Sequence, residues 1–389
     1  MRRNSGAEYL PQKHTEQRIL HGPAAGLCLR SVTTGSTNRA AGTVPGVDDA
    51  GGGRRGLRAV VSEELWEVLE ARWAIPRQPG RDLGGSLNLN LLVSRGAEQL
   101  VVRVHRPSAS PPRVEAIQAV RERLDAAGVP CSALVLARGG ARWARAGNRL
   151  VEVDQFIGHD GAMNTAPRLA RGLPLLGRIH ALLAEVKVCA EGRTVKFANH
   201  IEPGAVLDGT RAGAARIRSW HPTQGEQRMA GQAERLAELV AAGEAGLAAG
   251  LPRQLTHGDF WDDNVFFRGE TPVFVADFGF MAERARIDDL ALTLYYADTE
   301  FGLTGRDRIA ALRPLVRAYT MGLGSPLTPA EHQALPWAIA RQPLWGIGGW
   351  VVVLDDQRAA RAHALATFPA IGRALDLVAG ISAWQAELY

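Results

Sequence analysis

The stretch His257-Gly-Asp-Phe-Trp-Asp-Asp-Asn264, followed by Asp277-Phe-Gly279, decides the fold of this 389-residue chain. Four residues separate Asp259 from Asn264, and Asp277 comes thirteen positions after Asn264, at the end of a β-branched and aromatic run. A carboxylate, an amide and a second carboxylate offer one group that accepts a proton and two that bind a hard metal ion through oxygen. A short strand–turn–strand between them would bring the last two together.

This spacing is typical of the catalytic loop and the metal-binding segment of kinases. It predicts Asp259 as the catalytic residue, beside a substrate hydroxyl, and Asn264 and Asp277 as ligands of Mg²⁺. The alternative is an acidic surface loop followed by an unrelated strand. That alternative explains either half alone, whereas both halves in register favour a phosphoryl-transfer site.

The rest of the chain divides into three parts. Residues 1–56 are rich in Gly, Ser, Thr and Arg, which predicts a disordered basic tail or, as the alternative, an upstream extension that is not part of the mature domain. In residues 57–157 the pattern predicts strands, then one amphipathic helix, then two more strands at 131–137 and 150–157. In residues 158–389 the pattern is mainly helical. We therefore expect an α+β, two-lobed fold, with a small antiparallel-sheet N-lobe and a larger, mainly helical C-lobe.

Composition and charge argue against several other classes of function. The net charge is +5, but residues 1–55 hold eight Arg/Lys against four Asp/Glu, so most of the excess lies in the tail and no nucleic-acid partner is expected. No apolar run is long enough to cross a bilayer and no signal-like segment follows Arg2 and Arg3, so we expect no membrane partner and a cytoplasmic location. The three cysteines are far apart and form no CxxC pair, which argues against a disulfide framework.

With these motifs, the chain resembles the aminoglycoside phosphotransferase / choline kinase-like superfamily over roughly residues 80–300. That superfamily has a protein-kinase-like fold, and homoserine kinases of the second type and various antibiotic kinases belong to it. The resemblance implies ATP or GTP as co-substrate, Mg²⁺, and a small hydroxylated acceptor. An aminoglycoside or another antibiotic is the first expectation for the acceptor, and a homoserine- or choline-type metabolite is the alternative. A monomer or a homodimer is expected.

The resemblance also implies where the nucleotide binds. The turn Gly84-Gly85-Ser86 stands where the family covers the nucleotide, although a plain hairpin explains the same residues. Arg103 stands where the family has a phosphate-contacting lysine, and an exposed strand arginine is the alternative. Glu152 and Asp154 lie in a segment that resembles the hinge, whose backbone would bind the purine, or that is a simple interdomain strand.

Three further residues are predicted to support this site. Glu115, in the N-lobe helix, is the candidate acid that pairs with Arg103. His257 is expected to hydrogen-bond to backbone near the loop, and Asp289 to cap or brace it.

Two other interpretations stay open. Asp262 and Asp263, inside the catalytic loop, either bind a cationic substrate or are simply solvated. The absence of lysine from the N-lobe strands leaves a catalytically inactive nucleotide-binding module as a hypothesis of another class.

Overall fold

The computed structural model describes residues 58–85, 87–195 and 198–389. It is an α+β structure with a small antiparallel sheet followed by a mostly helical remainder, which confirms the predicted fold class. The predicted tail lies outside the described residues, and the lobe boundaries stay predictions.

The strands are β1 (Arg81–Asp82), β2 (Leu89–Arg95), β3 (Glu98–Val104), β4 (Ala144–Ala146), β5 (Arg149–Gln155), β6 (Gly161–Ala162), β7 (Arg253–Thr256), β8 (Val265–Arg268), β9 (Thr271–Val275) and β10 (Ala282–Ala285). The helices are α1 (Glu63–Trp73), α2 (Pro111–Ala126), α3 (Ala166–Leu183), α4 (Ala190–Arg193), α5 (Val206–Ser219), α6 (Gln224–Glu244), α7 (Ile287–Phe301), α8 (Gly305–Leu323), α9 (Pro329–Arg341), α10 (Gln357–Ala379) and α11 (Ile381–Glu387).

The N-lobe sheet has the order β1-β2-β3-β5-β4 and is antiparallel throughout. Alternate residues of its strands face opposite sides. Val102, Val151 and Val153 pack into a core shared with α1, whereas Glu152 and Arg103, which are opposite each other in register, do not join that core. The sheet therefore presents one apolar face to α1 and one charged face to the rest of the site.

The predicted strand at residues 131–137 is wrong. Only a single bridge between Leu134 and Asp154 and two backbone hydrogen bonds join this segment to β5. The segment leaves the sheet at Gly139 and Gly140, whose φ values of 82° and 81° suit a turn. A short strand, β4, follows instead and forms the edge of the sheet.

The C-lobe core holds two small sheets against a group of helices. α3 and α8 pack at backbone contact, because a Cβ at Gly322 would lie 1.8 Å from the carbonyl oxygen of Pro174 and one at Gly177 would lie 2.2 Å from that of Tyr319. The sheets are β7 with β10, and β6 with β8 and β9. The loop after β7 and the loop after β9 emerge together and form the floor of the site.

Among the described residues no single helix has the length and apolar composition needed to cross a bilayer; α10 and α11 reach them only together, as a pair bent by 76°.

Candidate active site

The catalytic loop begins where β7 ends, and a glycine sets its course. Gly258 has a φ of +79°, and a Cβ there would lie 2.2 Å from the carbonyl oxygen of Phe280. The turn places Asp259 in a buried position, 5% exposed. Asn264 Nδ2 donates to Asp259 Oδ2 at 2.7 Å and to the main-chain oxygen of Asp259 at 2.8 Å. The predicted catalytic residue and a predicted metal ligand are therefore held side by side.

His257 links the catalytic loop to the strand that precedes Asp277. Its Nε2 lies 2.9 Å from the carbonyl oxygen of Ala276, and its Nδ1 lies 3.2 Å from the amide nitrogen of Asp259. Because a carbonyl accepts and an amide N–H donates, Nε2 carries the proton and Nδ1 is the acceptor. Burial lowers the pKa of His257, so the ring stays neutral while it joins the two segments.

Asp289 braces the same loop from the first turn of α7. Its two carboxylate oxygens accept from the amide nitrogen of Gly258 at 3.0 and 3.1 Å. His180 Nε2 lies 3.2 Å from Asp289 Oδ2, and His180 Nδ1 lies 2.9 Å from the hydroxyl of Tyr319. Burial alone would raise the pKa of Asp289, but the hydrogen bonds from His180 and from the amide of Gly258 help to outweigh burial, and the pKa is lowered. The brace is therefore ionised at neutral pH.

Asp277 occupies an unusual backbone conformation beside Asn264. Its φ of 54° and ψ of 64° lie in the left-handed region, which is uncommon for a residue with a Cβ. Its Oδ1 accepts from the amide nitrogen of Gly279 at 3.2 Å and from Arg103 Nη1 at 3.3 Å. The main-chain oxygen of Asn264 accepts from the amide nitrogen of Ala276 at 2.8 Å. These contacts hold the two predicted metal ligands in neighbouring positions despite the strain.

The cation across the cleft is Arg103, and its acidic partners differ from the predicted one. Arg103 Nε lies 3.7 Å from Glu152 Oε1, on the adjacent strand, and Arg103 Nη1 lies 3.3 Å from Asp277 Oδ1. Glu115, predicted as the partner, is exposed on α2 and accepts from Trp143 Nε1 at 3.0 Å. That prediction is wrong because the phase of α2 turns Glu115 toward solvent.

Glu152 and Asp154 point their side chains into a buried network under α2. Glu152 Oε2 accepts from Gln118 Nε2 at 2.6 Å, and Glu152 Oε1 lies 3.5 Å from Arg121 Nη1 and 3.4 Å from His105 Nε2. Asp154 Oδ1 accepts from Arg121 Nη2 at 2.6 Å. Burial alone would raise the pKa of Glu152, but His105 and the surrounding arginines hold it well below its usual range. Both side chains therefore join the helix to the sheet.

The backbone of the predicted hinge is partly engaged within the protein. The amide nitrogen of Gln155 donates to the carbonyl of Ala133 at 2.9 Å, and that of Phe156 donates to the carbonyl of Gln99 at 3.0 Å. These two donors are already used. The purine contact stays a prediction, and the backbone that follows Phe156 is the remaining part of the predicted hinge that could make it.

The predicted nucleotide-covering turn is built from two glycines with positive φ. Gly84 and Gly85 have φ values of 89° and 113°. Asn90 Nδ2 donates to the carbonyl of Gly84 at 3.0 Å, and Arg58 Nε donates to that of Gly85 at 2.8 Å. A Cβ at Gly85 would lie 2.8 Å from a backbone oxygen, so the turn requires glycine there. Ser86 lies outside the described residues, and its nucleotide contact stays a prediction.

Asn199, which no sequence pattern marked, contacts the carboxylate of the predicted catalytic residue, Asp259. Asn199 Nδ2 donates to Asp259 Oδ1, whereas Asn264 uses Asp259 Oδ2. Burial and the charge of Asp277 raise the pKa of Asp259 well above its usual range, although both amides favour the ionised form. Asn199 lies in an irregular segment between α4 and α5, where no local pattern marks an active-site residue.

Comparison with known families shows where this geometry belongs. The model described as "Phosphotransferase enzyme family" (APH) matches residues 81–332, well over half of the chain. The chain belongs to this phosphotransferase family. Asp259, Asn264 and Asp277 all lie inside the matched segment. The prediction of a small-molecule kinase of this superfamily is confirmed.

Individual relatives and structures agree with the family assignment. The homoserine kinase of Azorhizobium caulinodans is 25% identical over 256 residues, which span 65% of this chain and 73% of that protein. The homoserine kinase of Acidiphilium cryptum is 28% identical over 258 residues, which span 63% and 72%. A microcompartment-associated aminopropanol kinase matches with a TM-score of 0.63 and 18% identity, over 84% of this chain and 99% of that one. Amicoumacin kinase hAmiN, in complex with AMP-PNP and Ca²⁺, matches with a TM-score of 0.59 and 12% identity, over 79% and 92%. The two structures show a shared fold.

Proposed function

We propose that this phosphotransferase transfers the γ-phosphoryl group of ATP to the hydroxyl of a small amino-alcohol, with homoserine as the first acceptor to test. The observation that carries the proposal is the buried Asp259, which lies between Asn264 and Asn199 and across from Arg103 and Asp277. Support for the acceptor comes from the eight relatives matched in sequence, all of which are homoserine kinases.

Asp259 acts on the acceptor hydroxyl. Phosphoryl transfer requires the acceptor oxygen to reach the γ-phosphorus as its proton leaves. The raised pKa of Asp259 makes its carboxylate a stronger proton acceptor than an ordinary aspartate. A bond forms between the acceptor oxygen and the γ-phosphorus, the bond from that phosphorus to the β–γ bridging oxygen breaks, ADP leaves, and the hydroxyl proton passes to Asp259.

The oxygen atoms beside Asp259 suit Mg²⁺. In the part of the chain that the structure describes, neither the amide oxygen of Asn264 nor Oδ2 of Asp277 accepts a hydrogen bond. Amide and carboxylate oxygens are ligands that Mg²⁺ prefers. These two residues would hold the ion, which would neutralise charge on the phosphate oxygens.

The nucleotide would lie between the glycine turn and the strand that carries Arg103. The guanidinium of Arg103 is planar and matches phosphate oxygens with two parallel donors. Gly84 and Gly85, with Ser86, would cover the phosphates, and the backbone after Phe156 would bind the purine. ATP is the proposed donor, and GTP is the alternative that the same backbone contacts permit.

An acceptor panel tests the proposal. The full chain is incubated with ATP and Mg²⁺ and with homoserine, ethanolamine, choline or kanamycin, and ADP release is followed together with the mass of the product. We expect acceptor-dependent ADP release, with homoserine giving the highest kcat/KM. Nucleotide binding without transfer to any acceptor would instead support an inactive nucleotide-binding module. Repeating the assay with GTP decides the donor.

An aminoglycoside is the second candidate, favoured by acidic side chains at the far end of the catalytic loop. Burial, with the charges of Asp263 and Glu300, raises the pKa of Asp262 to about 7. A polycation would stabilise the ionised forms of this group. Higher kcat/KM with kanamycin than with homoserine would therefore favour this acceptor and the role of Asp262 in binding it.

A further inference from the structure

A second arginine lies near Asp277, just past the end of β3. Arg106 is partly exposed, and its guanidinium lies against the segment that follows Asp277. Its Nη2 lies 3.5 Å from the carbonyl oxygen of Gly279, at the outer limit of a hydrogen bond, and its Cζ lies 5.9 Å from the centre of the Phe280 ring. The amide nitrogen of Arg106 donates to Asn88 Oδ1 at 3.0 Å. Arg106 therefore lies where the N-lobe sheet meets the Asp277 segment.

A comparison with Arg113 shows how few of the donors of Arg106 are used. Arg113 also reaches the carbonyl of Gly279, but it is 8% exposed, and its Nη1 and Nη2 donate to five carbonyl oxygens at 2.6–3.2 Å. In the part of the chain that the structure describes, Nε and Nη1 of Arg106 donate to no residue. A guanidinium has five N–H donors, so Arg106 keeps most of its donors for water or a ligand.

The positive charge of Arg106 is only weakly balanced. Asp277 is the acid whose charge acts on it, and no carboxylate among the described residues is in ion-pair contact with it. Asp277 already pairs with Arg103 at 3.3 Å and is the proposed ligand of Mg²⁺. Burial outweighs the charge of Asp277 and lowers the pKa of Arg106. A further anion beside Arg106 would therefore be stabilised.

The space next to Arg106 is open to solvent. The side chains of Asp277 and Arg103 are 30% and 14% exposed. Asn88, which follows the glycine turn, and Gly279 are also partly exposed, and a Cβ on Gly279 would lie 3.9 Å from Asn88 Nδ2. The glycine turn, Arg106 and the Asp277 segment therefore meet at a place that solvent reaches.

The position of Arg106 along β3 indicates which phosphate it would meet. The predicted hinge lies at the other end of this strand, where the amide nitrogen of Phe156 donates to the carbonyl of Gln99. From Gln99 the strand runs past Arg103, and Arg106 comes three residues later, up to about 10 Å farther from the hinge. A nucleotide whose purine lies at the hinge would extend its phosphates in the same direction. Arg103 would then lie nearer the inner phosphates and Arg106 nearer the terminal one.

We propose that Arg106 binds the γ-phosphoryl group of ATP, while Arg103 binds the inner phosphates. This inference rests on the proposed function, which places ATP in this cleft, and it deepens that function by assigning a residue to the transferred group. The guanidinium stays protonated throughout. Its free donors stabilise the charge on the oxygens of the phosphoryl group as that group passes from ADP to the acceptor hydroxyl.

Two nucleotides that differ by one phosphate test this assignment. AMP-PNP has a γ-phosphoryl group and ADP has none, and titration calorimetry of the full chain with Mg²⁺ measures the Kd of each. For Arg106→Gln we expect the Kd of AMP-PNP to rise about 10- to 100-fold and that of ADP by less than about threefold, because a charged donor to one phosphate is lost. Arg103→Gln should weaken the binding of both. Arg123→Gln, exposed on α2, is the matched control and should weaken neither.

A conservative variant separates phosphate contact from folding. Arg106→Lys keeps the charge and should recover part of the affinity for AMP-PNP. Equal weakening of ADP and AMP-PNP in Arg106→Gln would overturn the inference, because a structural role or a contact to the inner phosphates affects both nucleotides alike. Unchanged binding of both nucleotides would overturn it as well.

The binding measurement needs no acceptor, so it separates this inference from the proposed function. A selective loss of AMP-PNP binding in Arg106→Gln, without phosphate transfer by the wild type to any acceptor, would refute the proposed function and keep the inference. Equal effects on the two nucleotides, in a chain that phosphorylates homoserine, would keep the proposed function and refute the inference. No binding of either nucleotide by the wild type would refute both.

Discussion

The two walls of the cleft hold their carboxylates in different ways. On the C-lobe wall, Asp259 is held by neutral amides, Asn264 on one oxygen and Asn199 on the other. On the N-lobe wall, Glu152 is surrounded by Arg103, Arg121 and His105. Both carboxylates are buried, 5% and 1% exposed. The pKa of Asp259 is nevertheless raised, by burial and Asp277, whereas that of Glu152 is lowered.

In the proposed mechanism, this difference separates a reactive group, Asp259, from a permanent anchor, Glu152. Burial opposes the ionised form of both carboxylates, and only the side chains around them decide which way the pKa moves. Opposite shifts of neighbouring titratable groups commonly mark different roles in one site. Asp259 is therefore suited to take a proton and give it up, while Glu152 stays ionised and orients Arg103.

The largest expected effect is that of removing the charge at Asp259. Asp259→Asn should lower kcat by about 10²- to 10⁴-fold, because it removes the proton acceptor. Its melting temperature should be unchanged or higher, since an ionised buried carboxylate is lost. Steady-state kinetics and thermal unfolding measure both quantities, with Asp307→Asn on the surface of α8 as control. A loss of less than tenfold would remove Asp259 from the chemistry.

Arg103 gives the next largest effect. Arg103→Ala should lower kcat/KM for ATP by about 10- to 100-fold, because a charged hydrogen-bond donor to phosphate is lost. Arg103→Lys should restore most of it, since an ammonium supplies the charge without the planar fork. Initial rates at varied ATP and fixed acceptor provide the measurement. Wild-type values of KM for ATP in Arg103→Ala would mean that another cation binds the phosphates.

A matched pair of glutamates tests how Arg103 is oriented. Glu152→Gln should lower kcat/KM for ATP by about tenfold and destabilise the fold by about 1–3 kcal/mol, because a buried charge is left with fewer partners. Glu115→Gln, exposed on α2, should change kcat/KM for ATP by no more than about twofold and should leave the free energy of unfolding almost unchanged. The opposite ranking of the two variants would restore the helix acid as the partner of Arg103.

The smallest expected effect is on the pH dependence of stability, where Asp259 and Glu152 should act in opposite directions. Asp259 has a raised pKa in the folded state, so its contribution is most favourable at low pH and is lost as pH rises past the usual aspartate value of about 3.9. Glu152 has a lowered pKa, so its contribution is present above about 4.3 and is lost as pH falls below it. Melting temperatures should be measured from below about pH 4 to above neutral pH. The melting temperature of Asp259→Asn should rise relative to that of the wild type as pH increases. The melting temperature of Glu152→Gln should rise relative to that of the wild type as pH decreases.

The sequence indicates which residues of the predicted catalytic loop lie together, because their contacts are local. One loop and the hairpin that follows it contain Asp259, Asn264 and Asp277. The spacing of these residues along the chain therefore determines which side chains meet. His257 and Asp289 also bond to this loop's backbone or to the strand beside it.

The N-lobe cation site could not be predicted in the same way. The buried face of α2 carries Arg113, Gln118 and Arg121, polar residues that read as a solvent face in a sequence pattern. Glu115 consequently appeared as the natural partner of Arg103. The buried acid comes from β5, which meets Arg103 only through strand pairing over 49 residues of chain.

Contacts between distant irregular segments left no signal at all. Asn199 reaches Asp259 across 60 residues of chain, and Arg284 meets His200 across 84. Both contacts depend on how the irregular segment between α4 and α5 packs against the rest of the fold, so neither position stands out in composition or spacing.

The fate of the transferred phosphate tests the central claim most directly. Phosphorus NMR of the full chain with ATP, Mg²⁺ and homoserine follows ADP, inorganic phosphate and phosphorylated acceptor in one sample. We predict one equivalent of O-phosphorylated homoserine for each ADP formed, and a loss of both signals in Asp259→Asn. ADP accompanied only by inorganic phosphate, at a rate that neither homoserine nor Asp259→Asn alters, would contradict the account.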